Sequence, residues 1–77
     1  MKLSQNDLNF ACFLANKMFM DYLMASSLIP IEPESFSERW LQDHVQGIAP
    51  AMHRLVWKFF MINMISRNSV VGPEEIE

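Results

Sequence analysis

Hydrophobic and polar positions recur with a helical period from Ser4 to about Ser27, and again from Pro50 to about Asn68. In the first stretch Leu8, Ala11, Cys12, Leu14, Ala15, Met18, Phe19, Tyr22, Leu23 and Ala25 fall within about half of a helical circumference. No Gly or Pro interrupts it, and Ser4 with Asp7 three residues on has the form of a capping box. Ile29–Pro30 ends it, because the residue before a proline is pushed out of the helical region. Residues 29–35, Ile-Pro-Ile-Glu-Pro-Glu-Ser, read as a stiff connector. The Pro30–Pro33 spacing lacks the flanking basic residues of a ligand motif. Ser35 and Glu38 form a second capping-box pattern ahead of a short helix. Phe36, Trp40, Leu41 and Val45 give that helix one apolar face, and Gly47 is placed to stop it. Pro50 suits the first turn of a third helix, and Arg67 complements the dipole near its end. The pattern predicts an all-α domain over residues 1–69, with helices at about 5–28, 36–46 and 50–68 (long, short, long), and a flexible acidic tail over 70–77.

The two long helices are not cleanly two-faced. On the third, Arg54 and Lys58 begin a charged stripe, and Met61 and Ile65 occupy its continuation. Met52, Val56, Phe59, Phe60 and Asn63 share one side, flanked by Leu55 and Ile62. Trp57, Met61, Met64 and Ile65 spread over the other. The first helix repeats the anomaly: Asn6, Asn9, Asn16, Lys17 and Asp21 set a polar stripe, with Phe13, Met20 and Met24 lying along it. A helix apolar all round is normally buried all round. Two flanking helices in a 77-residue chain cannot provide that cover. A second copy is the simplest source of a matching surface, so the fold is expected to be completed by dimerisation. The expected contact sets Phe13, Met20 and Met24 of one subunit against Met61 and Ile65 of the other, with Trp57 and Met64 in the same surface. Asn63, if buried, would pair with Asn63 of the symmetry mate to fix the register.

Composition strengthens this reading. The chain is 51% hydrophobic and 19% charged, the latter below the roughly 25% of an average soluble domain. Residues 1–73 carry six Lys/Arg and six Asp/Glu, so the net charge of −3 comes from Glu74, Glu75 and Glu77. A neutral, apolar body has little electrostatic protection against association. Cys12 is the lone cysteine, which excludes an intrachain disulfide and fits a reducing cytoplasm. The first ten residues lack the basic-then-apolar order of a signal peptide, and no run of eighteen uncharged apolar residues exists. A cytoplasmic protein is expected, without a membrane partner.

Little here suggests chemistry. The two glycines are isolated, so no phosphate-cradling loop is available. His44 and His53 stand nine residues apart, and Cys12 supplies the single thiol, so no metal or other cofactor is expected. Asp43 and His44 are adjacent, and adjacent helical residues point in different directions. No catalytic site is expected. The alternative with some physical content is a dimeric helix-turn-helix regulator. Residues 41–60 have the outline helix, Gly-containing turn, helix, and His53, Arg54, Lys58 and Arg67 lie on an acid-free helix. Against it, Met52, Leu55, Val56 and Trp57 crowd the first turns of the candidate recognition helix, and overall positive charge is lacking. The favoured expectation is a small non-catalytic protein-interaction protein, self-associating or docking on a larger protein to modulate it, as inhibitors, chaperones and immunity proteins do. Its methionines suit a surface that repacks around a partner.

Overall fold

The computed structural model describes residues 3–66. They form three α-helices: α1 (Gln5–Ser26), α2 (Pro33–His44) and α3 (Pro50–Ser66), with no strand among the described residues. The all-α, long-short-long reading holds. Arg67, the expected end of the third helix and the acidic tail at 70–77 lie outside the described residues.

Each boundary has a local cause. Ser4 Oγ accepts the Asp7 N–H at 3.1 Å, and Asp7 Oδ2 accepts the Ser4 N–H at 3.0 Å, closing the expected capping box. α1 stops at Ser26 rather than near residue 28. The Ser26 and Ser27 hydroxyls donate to the carbonyls of Leu23 and Met24, and the Leu28 N–H takes the Ala25 carbonyl in a tightened turn. α2 begins three residues earlier than its Ser35–Glu38 pattern suggests. Glu32, extended at ψ 129° as a pre-proline residue must be, is the N-cap, and Pro33 opens the first turn. The fixed φ of Pro33 outweighs a capping box, so the stiff connector shrinks to residues 27–32. At the far end Val45 is extended (φ −135°, ψ 130°), so α2 ends at His44 before reaching Gly47. Gly47 instead sits in the α2–α3 connection at φ +71°, where a side chain would be strained although the space around it is open.

α1 packs chiefly against α3, while α2 lies across the C-terminal half of α1. Phe60 sits at the centre of the core, fully buried, with the rings of Phe19 at 6.4 Å and Tyr22 at 5.7 Å, both edge-on. Tyr22 also meets Phe36 of α2 edge-on at 5.3 Å, and its hydroxyl donates to the Ile31 carbonyl at 2.9 Å. One side chain thereby ties α1, α2 and the connector to the core. Trp40 adds a second tie from α2, donating from Nε1 to Asp21 Oδ2 of α1 at 2.7 Å. The expected core face of α1 is buried from Ala11 to Tyr22, with one correction: Leu23 is 48% exposed. It lies at the edge of the arc. No described helix is long and apolar enough to cross a membrane.

Candidate interaction surface

The outward face of α1 is the most unusual surface of the molecule. Phe10, Phe13, Lys17, Met20 and Met24 follow one another at steps of three and four residues, the spacing of a coiled-coil seam. On a 3.6-residue wheel this line is centred opposite Ala11, Ala15, Met18 and Tyr22, the residues that face the core. Its apolar members are exposed: Phe13 by 56%, Met20 by 58% and Met24 by 73%. Leu28, 84% exposed, carries the surface past the end of α1. The Lys17 ammonium lies 5.5 Å from the centroid of the Phe13 ring, so the cation covers part of the apolar stripe without hiding it. Met24 and Leu28 also border an open recess of about 480 Å³ between α1 and α2, whose wall includes Phe36 and the stacked rings of Trp40 and His44.

The residues expected at an interface divide into three groups. Phe13, Met20 and Met24 form the exposed line on α1. Ile65, 78% exposed, and the half-buried Met61 lie on the outer face of α3 beyond Arg54 and Lys58, with Trp57 and Met64 half-buried on its flank. α1 and α3 pack against each other through their core faces, so the two outer faces point to opposite sides of the molecule. They do not merge into one patch.

Asn63 forms the third group and requires a correction. It is wholly enclosed within a single copy, and its amide donates to Asn16 Oδ1 at 2.7 Å. The expected Asn63–Asn63 pair across a two-fold axis is replaced by this bond between α3 and α1. Asn16, assigned from the sequence to the polar stripe, is half-buried and also donates toward Cys12 Sγ at 3.6 Å. An amide buried between two helices accepts few geometries, so this pair sets the register of α1 on α3 inside the monomer.

Phe10 and Leu28 belong to the surface and were missed by sequence reasoning. The seam spacing that includes Phe10 was available in the sequence, masked by the intervening Lys17. Nothing local announced Leu28, because it follows the end of the helix.

The polar side chains of α2 are engaged locally. Asp43 Oδ2 accepts from Arg39 Nε at 3.2 Å, while His44 stacks on Trp40 at 4.3 Å with Nδ1 2.9 Å from the Trp40 carbonyl. No group of three metal-binding side chains exists among the described residues. His53 and Arg54 line an open cleft between α2 and α3, and they share it with Glu34 and Glu38. Those carboxylates sit beside the start of α3, where an approaching phosphate would meet them. Lys58 is exposed one turn further on, and Arg67 lies outside the described residues.

Set against known proteins, the chain matches no protein-family model, no curated protein and no solved structure.

Proposed function

We propose that this chain is a small non-catalytic protein-interaction protein, acting by self-association or by docking on a larger protein that it modulates. Inhibitor, chaperone and immunity-type roles all work through such a surface. The outer face of α1 is the observation that carries the reading: a line of Phe and Met at seam spacing, 47% to 73% exposed, on the side of the helix away from its own core. A soluble domain that leaves such a line uncovered gives up roughly 1.5–3 kcal/mol for each large side chain. A partner that covers three or four of them gains an energy comparable to the stability of a domain this small. Aromatic anchors beside adaptable methionines match the composition of protein interfaces.

A cytoplasmic setting fits the thiol of Cys12, which is buried and outside any disulfide. The helix-turn-helix alternative draws on the exposed His53, Arg54 and Lys58. Glu34 and Glu38, across the cleft from His53 and Arg54, weigh against phosphate contacts there.

Light scattering over a dilution series, with an apolar-surface dye, tests the proposal. The expected results are a dye signal and, where the chain pairs with itself, a mass that falls on dilution. Met20→Glu with Met24→Glu should lower both while leaving helicity intact, since neither residue is in the core. A single-chain mass at every concentration with a silent dye overturns the reading.

A further inference from the structure

We propose that the occupant of the α1 face is a second copy of this chain, docked antiparallel through α1 about a two-fold axis that crosses the outer face at the level of residues 18–19, with Lys17 of each copy paired to Asp21 of the other. The inference rests on the interaction reading above and names its partner and register.

Area supports a second copy. At about 200 Å² for a large side chain, the exposed fractions of Phe10, Phe13, Met20, Met24 and Leu28 leave roughly 640 Å² uncovered. A stable interface needs about 800 Å² from each partner, so one α1 face against another supplies most of the required area from apolar side chains alone. The outer face of α3 offers much less, with Ile65 as its single large exposed hydrophobe among the described residues.

Symmetry then selects α1 against α1. A two-fold dimer buries the same patch on both copies, whereas a contact joining two different faces of a molecule repeats head-to-tail into rings or open chains. The α1 line and the Met61–Ile65 end of α3 lie on opposite sides, so pairing one with the other would build a larger head-to-tail assembly rather than a closed dimer. The expected contact between Phe13, Met20 and Met24 of one copy and Met61 and Ile65 of the other is thereby replaced.

Charge selects direction. A parallel, in-register pair would stack Lys17 on Lys17 in the middle of the seam, and like charges there repel. In the antiparallel arrangement Phe13 meets the second copy's Met24, and Lys17 lies over its Met20 and Asp21. Both Lys17 and Asp21 are exposed and one turn apart on the same helix. The Trp40 indole holds Asp21 from behind at 2.7 Å, which leaves the carboxylate preorganised for an incoming ammonium. Two equivalent ion pairs then flank the axis, and Phe10 reaches the second copy's Leu28.

Charge-reversal mixing tests the register. Lys17→Glu and Asp21→Lys should each be a folded single copy by sedimentation and circular dichroism, because each places like charges on both sides of the axis. Mixed in equal amounts, they should regain the dimer mass, with affinity at least tenfold above either variant alone. Asp21→Asn, which keeps an acceptor for Trp40, guards against Asp21→Lys failing to fold, and it should weaken the dimer. A spin label on Asn6→Cys reports direction: antiparallel pairing separates the two labels by about 38 Å along the axis, at 1.5 Å per residue. Parallel pairing brings them near the interaxial distance of about 10 Å. If the native chain dimerises but the mixture does not, or if the labels lie close together, the register is overturned and the interaction reading stands. A native chain that stays single while binding the dye overturns the second-copy occupant and leaves docking on another protein. A single chain with a silent dye overturns both.

Discussion

Replacing Asn16 by alanine is the sharpest probe of how this small core holds its register. The Asn63 amide has no access to solvent, and its 2.7 Å bond to Asn16 Oδ1 crosses from α3 to α1. Asn16→Ala deletes that acceptor from the Asn63 side chain, which is itself shut off from solvent. Removing one hydrogen-bond partner from a buried amide costs about 1–3 kcal/mol. A chain of this length has roughly 4–12 kcal/mol of stability in total, so the loss is a large share. With a urea slope near 1 kcal/mol/M, the midpoint should fall by about 1–3 M. The melting temperature should drop by about 5–15 °C. Asn63→Leu makes the opposite change: it removes the buried polar group, puts an apolar side chain of the same branching in its place, and leaves Asn16, half-buried, able to reach water. It should cost about 1 kcal/mol, the low end for adding volume to a packed core. The double variant should then be more stable than Asn16→Ala alone, giving a coupling of about 1 kcal/mol or more. Urea melts at a fixed low concentration, monitored by circular dichroism, keep association from masking the effect. If Asn16→Ala melts with the native chain, or the two changes simply add, the amide pair contributes nothing and the register must come from packing alone.

Two further substitutions probe the connections. Gly47→Ala should destabilise by about 1–2 kcal/mol in thermal melts, because φ +71° disfavours any Cβ even where the surrounding space is open; an unchanged melting temperature would mean the α2–α3 turn has another conformation. Tyr22→Phe keeps the edge contacts to Phe36 and Phe60 and removes the bond to the Ile31 carbonyl, so it should cost about 0.5–1.5 kcal/mol. Amide exchange should rise in residues 29–32 more than in α3; uniform loosening would place the role of the hydroxyl in the core instead.

The sequence by itself determined the number, order and approximate extent of the helices, the capping box at Ser4 and most of the buried face of α1. Those features depend on residues within one or two turns of each other, and hydrophobic spacing and side chain-to-backbone bonds are local quantities. It also carried the unusual outer line of Phe13, Met20 and Met24, since solvent-side residues on a helix follow from the same spacing. Competition between local signals was harder to read, as when Pro33 displaced the Ser35 cap of α2. Tertiary structure alone decided what lies across from what. Asn16 and Asn63 are 47 residues apart, and only the crossing of α1 on α3 turns two isolated amides into a pair. The same crossing sends the apolar line of α1 and the Ile65 end of α3 to opposite sides, because two cylinders joined along one face must turn their other faces away from each other. A periodic pattern marks which side of each helix is oily; the relative placement of helices determines which oily sides a partner can cover together.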